Sequence, residues 1–129
     1  MMRVLWVEDQ VEDNQEIWRR MEAHSTEISV VSTVSEALAM LAEESFDHIV
    51  LDLRLPLGDN PIVDKLSDID YNGVHIVEFL ESRGVLGQVP VCIQTNFIAV
   101  AHSRFSKKPV TVLQKATFLR DFEEIIYGK

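Results

Sequence analysis

Four short apolar runs in this sequence end on residues that can handle a hard cation or a phosphoryl group. Residues 4–7 (Val-Leu-Trp-Val) end on Glu8-Asp9 and residues 49–51 on Asp52, while residues 91–94 lead to Thr95-Asn96 and residues 110–113 to Gln114-Lys115. Three carboxylates brought together would repel by about 4 kcal/mol per pair at roughly 4 Å and an effective dielectric near 20, so such a cluster asks for a cation. Oxygen ligands without histidine or thiolate select Mg²⁺, Ca²⁺ or Mn²⁺ over zinc, and a small site that leaves waters on the ion suits Mg²⁺. A carboxylate can also act as a nucleophile and carry an aspartyl phosphate. That chemistry needs the oxygens of the transferred group neutralised, and a metal, the Lys115 ammonium and the Thr95 hydroxyl can together do this. Each residue also has a plainer reading: strand-end Asp and Glu cap helices, Thr95 caps a turn, and Lys115 is a solvated charge.

The elements that must position these residues follow from period and composition. Residues 4–7, 28–32, 49–53, 89–94 and 110–114 are short, rich in β-branched residues and without polar alternation, which reads as strands buried on both faces of a parallel sheet. Between them, residues 11–21 place Val11, Asn14, Ile17, Trp18 and Met21 on one helical face. Thr33 and Glu36 have capping-box spacing ahead of the stripe Ala37, Leu38, Leu41 and Ala42. Residues 74–83 and 117–127 read as further helices, and residues 96–106 as a weaker one. Residues 55–72 break the rhythm with Pro56, Gly58, Pro61 and the unpatterned Asp59, Asp64, Asp68 and Asp70, which predicts a long solvated loop with at most one short helical turn. The expected architecture is α/β and doubly wound: a five-stranded parallel sheet of flavodoxin-like order 2-1-3-4-5 with helices on both faces. In such a sheet ligands bind outside the carboxyl ends of the strands, where all the residues named above fall.

Bulk properties narrow the class. A chain of 129 residues with 47% hydrophobic content reads as one domain over residues 1–129. Its formal charge of -9 disfavours nucleic-acid phosphates and anionic lipid as partners. Cys92 is the only cysteine and lies in an apolar run, which fits a reducing, cytoplasmic location and a buried inert thiol. The opening apolar run is too short for a signal peptide or a membrane span.

Taken together, these residues resemble the receiver domain of bacterial response regulators over the whole chain. RVLWVED at 3–9 resembles the opening strand with its acidic pair, and Asp52-Leu53-Arg54-Leu55-Pro56 the phosphoacceptor strand with its following proline. Thr95 after Pro90-Val91-Cys92-Ile93-Gln94, and Lys115 after Val112-Leu113-Gln114, complete the set. The resemblance implies that Asp52 is phosphorylated and that Asp9 and Asp52 ligate Mg²⁺, with Glu8 acting mainly through water and Arg54 through its backbone carbonyl. It also implies that Thr95 and Lys115 bind the phosphoryl oxygens, and that the domain is a phosphoprotein of a two-component phosphorelay. The donor would be a sensor histidine kinase or histidine phosphotransfer protein, and a downstream protein partner would receive the signal. Such a domain catalyses only its own phosphorylation and dephosphorylation. Four features depart from the family pattern: the long loop before Gly73, Ala116 where a proline usually follows the lysine, Val112 where an aromatic is common, and Asn96 where a small residue is usual. Bulky Arg54 and Phe97, at positions that modulate access of water in this family, predict slow loss of the phosphoryl group.

Other chemistries find little support. His24, His48, His75 and His102 have no ligand spacing, no serine sits on a nucleophile elbow, and there is neither a P-loop nor a dinucleotide fingerprint. The aspartates of the long loop do not match an EF-hand. The alternative reading is a receiver-like protein-interaction module that works without phosphorylation, and a weaker third is a metal-dependent phosphatase of related fold.

Overall fold

The computed structural model describes residues 1–128, with the backbone alone at Asp13. The apolar runs form five strands, β1 (Met2–Val7), β2 (Thr26–Val31), β3 (His48–Leu51), β4 (Val91–Thr95) and β5 (Thr111–Gln114). All pair in parallel, in the order β2-β1-β3-β4-β5. Val7 lies opposite Val31 and Leu51, Leu51 opposite Ile93, and Thr95 opposite Gln114, so the strands finish together at one edge. The expected topology is the observed one, with strand limits differing by at most two residues.

Side chains alternate across the pleat. Leu5, Val7, Leu51 and Ile93 point to one face, where they meet Leu38 of α2 (Val34–Glu43), Ile76 and Leu80 of α3 (Gly73–Ser82), and Ala101 and Phe105 of α4 (Ile98–Phe105). Val4, Trp6, Val50 and Cys92 point to the other, against Trp18 and Met21 of α1 (Gln15–Ala23) and Phe118, Phe122 and Ile126 of α5 (Lys115–Tyr127). Trp6 is wholly buried between Trp18 and Phe118, with edge-on ring contacts at 5.8 and 5.3 Å. Burial on both faces holds for β1, β3 and β4, whereas the edge strands β2 and β5 are partly exposed. Cys92 is buried, and burial pushes its thiol up to about 12. Among the described residues no helix is long and apolar enough to cross a membrane.

Local sequence accounts for the helix boundaries. Thr33 caps α2 as the capping box requires, its hydroxyl accepting from the Glu36 amide at 3.1 Å. The first helical face begins as one 3₁₀ turn, Val11–Asn14, before α1 proper. With Ala rather than Pro at 116, nothing pushes the preceding residue out of the helical region, and α5 starts at Lys115 itself. The Lys115–Ala116 peptide is trans.

The segment after β3 departs from expectation only in part. It contains one short 3₁₀ turn, Pro61–Val63, and most of its residues are exposed, as expected, but it is pinned to the fold at a few buried positions. Val63 is buried in the core beneath α2, with Leu66 packed alongside. Burying a valine side chain contributes about 1.5 kcal/mol or more, which the aspartate-rich composition obscures. The Pro56 and Leu57 carbonyls accept from the Val34 and Ser35 amides at 3.0 and 2.9 Å, satisfying donors that the first turn of α2 leaves free. At the far end Asn72 is buried, donating to the Leu55 carbonyl at 3.0 Å and to Asp68 at 2.8 Å while accepting from the Ile69 amide at 2.9 Å.

Candidate functional site

At the carboxyl edge of the sheet Glu8 and Asp52 leave adjacent strands level with one another, since Val7 pairs with Leu51. Lys115 comes from beyond β5 and spans both: its Nζ lies 2.8 Å from Glu8 Oε1 and 3.1 Å from Asp52 Oδ2. The second Asp52 oxygen, Oδ1, accepts from the Leu53 amide at 2.7 Å. Burial opposes the Lys115 charge, but the hydrogen bond to Glu8 and the fields of Asp52 and Glu8 outweigh it and hold the ammonium above its ordinary pKa.

Glu8 is wholly buried. Its Oε1 also accepts from Asn14 Nδ2 at 3.0 Å and, more loosely, from Gln94 Nε2 at 3.3 Å. Burial is the largest influence on Glu8 and, with the hydrogen bond and charge of Asp52, raises its pKa to about 7 against the opposing pull of Lys115. Glu8 Oε2 is buried without a hydrogen-bond partner, as are Asn14 Oδ1 and Gln94 Oε1.

Asp9 is exposed at the mouth, and one oxygen from each of Glu8, Asp9 and Asp52 lies within 4.8 Å of the others. Among the described residues this is the one such grouping of histidine, cysteine or carboxylate ligands. Its donor set is all oxygen and Glu8 carries a buried acceptor, Oε2, with nothing to accept, so the residues fit a hard divalent cation such as Mg²⁺. Thr95 is buried at the end of the neighbouring strand; its Oγ1 accepts from the Phe97 amide at 2.9 Å and keeps its own proton to donate. Arg54 sits two residues past Asp52 with its guanidinium 5.4 Å from the Phe97 ring centre, and it lines with Asp9 and Pro56 a cleft of ≈ 530 Å³.

All the residues singled out from the sequence, namely Glu8, Asp9, Asp52, Arg54, Thr95 and Lys115, therefore lie at one edge of the sheet. Sequence reasoning missed their supports. Asn14 and Gln94 each break an otherwise apolar stripe, and that anomaly was the available signal for a buried acceptor nearby. Gly73 is a third support: a Cβ there would lie 2.5 Å from the Asp52 carbonyl oxygen and 2.8 Å from Leu53 Cα, so only glycine lets α3 seat against the backbone that carries Asp52. Tyr71 is a fourth, edge-on to Phe97 at 5.5 Å.

No protein-family model matches the chain, and no curated protein matches it in sequence. Its fold is nevertheless that of many solved structures. It is similar to the receiver domain of Francisella response regulator 1452, at 20% identity over 99% of this chain and 98% of that one, with a TM-score of 0.68. It is similar also to Thermotoga maritima response regulator TrrA, solved in complex with Mg²⁺-BeF (16%, 97% and 96%, TM-score 0.69). A DNA-binding response regulator of the LuxR family from Staphylococcus aureus gives 16%, 99% and 98%, with a TM-score of 0.76. The chain thus has the receiver-domain fold, a flavodoxin-like five-stranded sheet with five helices, and carries an acidic candidate metal site at the carboxyl edge of that sheet.

Proposed function

We propose that this chain is a phosphoacceptor receiver of a two-component phosphorelay: Asp52 accepts a phosphoryl group from a phosphohistidine on a sensor histidine kinase or histidine phosphotransfer protein, and the change at the site alters binding to a downstream protein. The observation that carries this reading is the Lys115 ammonium bridging Glu8 and Asp52 beside a third carboxylate, Asp9. An oxygen of Asp52 attacks phosphorus as the P–N bond breaks, and the imidazole leaves with the electron pair and takes up a proton. Lys115, already in contact with Asp52, pairs with one oxygen of the transferred group, and the Thr95 hydroxyl donates to another. Glu8, Asp9, Asp52 and the Arg54 carbonyl are the groups to hold Mg²⁺, which when bound supplies positive charge against the oxygens of the phosphoryl group. Asn14 and Gln94 fix Glu8, and Glu8 in turn fixes Lys115. The domain acts on no external substrate, and its location is cytoplasmic, where a donor kinase domain is found.

Incubation with Mg²⁺ and acetyl phosphate, followed by intact-mass spectrometry, tests this. One added phosphoryl group that Asp52→Asn abolishes supports it. A folded protein that takes up none from small donors or phosphohistidine overturns it in favour of the interaction module, and turnover of a phosphate ester overturns it in favour of a phosphatase.

A further inference from the structure

Segment 69–71 stands between two cavities. On one side is the polar cleft that reaches Asp9; on the other is an apolar cavity of ≈ 400 Å³ bounded by Leu53, Val74 and Val100, and Ile69 and Asp70 line both. Tyr71 ends this partition. Its ring meets Phe97 edge-on at 5.5 Å, and Phe97 also carries the Arg54 guanidinium at 5.4 Å. The amide of the same Phe97 donates to Thr95 Oγ1 at 2.9 Å. Three side chains from two connections, Arg54 and Tyr71 from the long one after β3 and Phe97 from the one after β4, therefore meet at Phe97, whose backbone is tied to Thr95.

We infer that Tyr71 is a positioning residue that sets how fast water reaches the phosphorylated Asp52, because it holds the Phe97 ring on which Arg54 rests and so closes the α4 side of the site. The inference rests on the phosphoacceptor reading and deepens it. The step it controls is hydrolysis: a water oxygen bonds to phosphorus, the bond from phosphorus to the Asp52 oxygen breaks, and the carboxylate, inorganic phosphate and a proton are released. An edge-on aromatic pair is worth roughly a factor of 2 to 10 in an equilibrium beyond its area burial. The stack therefore opens and closes rather than sealing the site, and Tyr71 tunes a rate instead of permitting or forbidding the reaction.

The protein is phosphorylated with Mg²⁺ and acetyl phosphate, freed of donor, and the loss of the adduct is followed by intact mass. Tyr71→Ala is expected to lose phosphate roughly two- to tenfold faster than the parent, Tyr71→Phe at the parental rate because the ring is kept. In a Phe97→Ala background Tyr71→Ala is expected to add nothing, a non-additivity that general loosening of the fold would not give. If Tyr71→Ala unfolds, Tyr71→Leu replaces it, with thermal unfolding recorded for each variant. An unchanged rate in folded Tyr71→Ala or Tyr71→Leu, or an undiminished effect in the Phe97→Ala background, overturns the inference while leaving the phosphoacceptor reading intact. A parent protein that takes up no phosphoryl group overturns both.

Discussion

The protonation of Glu8 offers a quantitative check on the buried site. Its carboxyl titrates at about 7 in the folded protein against an ordinary value of 4.5. Because the native carboxyl holds its proton more tightly than the unfolded one, the folded state binds more protons between these values, and stability falls as pH rises through that window. Integrating the linkage from pH 5 to pH 8 gives a loss of roughly 2 to 3 kcal/mol in EDTA. His48 runs the other way, since burial lowers its pKa and its contribution to stability is lost as pH falls. Urea unfolding followed by tryptophan fluorescence at pH 5, 6, 7 and 8 should therefore be done on the parent and on Glu8→Gln, which keeps His48 but has no titrating group at position 8. The difference between the two slopes isolates Glu8. Saturating Mg²⁺ should shrink the parental fall, because a bound cation favours the carboxylate. Equal pH slopes in the two proteins would refute the argument that Glu8 is held in a desolvated pocket.

Three further outcomes follow from the same geometry. Gly73→Ala should destabilise the fold by about 3 kcal/mol, since the added methyl meets rigid backbone at Asp52 and Leu53, and denaturant unfolding measures it. Lys115→Met leaves Glu8 and Asp52 facing each other without their shared cation; stability in EDTA should drop by roughly 3 kcal/mol and recover largely on adding Mg²⁺, as read by thermal unfolding at both conditions. Gln94→Leu should change stability by less than about 1 kcal/mol, because it removes a loose 3.3 Å hydrogen bond together with an unpartnered buried oxygen; a larger loss would show that Gln94 holds Glu8 more firmly than the distance implies.

The sheet was legible because its signal is local. Each strand is a short run bounded by turns, and the order 2-1-3-4-5 brings the ends carrying Glu8, Asp52, Thr95 and Lys115 to one edge. The capping box at Thr33 was likewise readable from two residues three apart. What stayed hidden depends on contacts across the chain. Gln94 reaches Glu8 over 86 positions and Asn14 reaches it from a helix face, so each looks like a flaw in an apolar pattern until the partner is known. In segment 55–72 the solvated character and the single helical turn were legible, but its anchors were not: its aspartates dominate the composition, while its attachment depends on Val63, Leu66 and Asn72 finding the core and the backbone. Gly73 reads from sequence as one more loop glycine, and only the approach of α3 to the strand carrying Asp52 shows why no larger residue fits.

Cys92 has a practical consequence. As the single cysteine, buried in the central sheet with its thiol pushed up to about 12, it is nearly silent toward maleimides and other thiol reagents at neutral pH. A cysteine introduced at exposed Ile62 or Ile69 would then be the one reactive sulfur in the molecule. Spin labels or fluorophores could be attached there without first removing the native residue, making the segment beside Asp52 open to distance measurements in an otherwise unaltered chain.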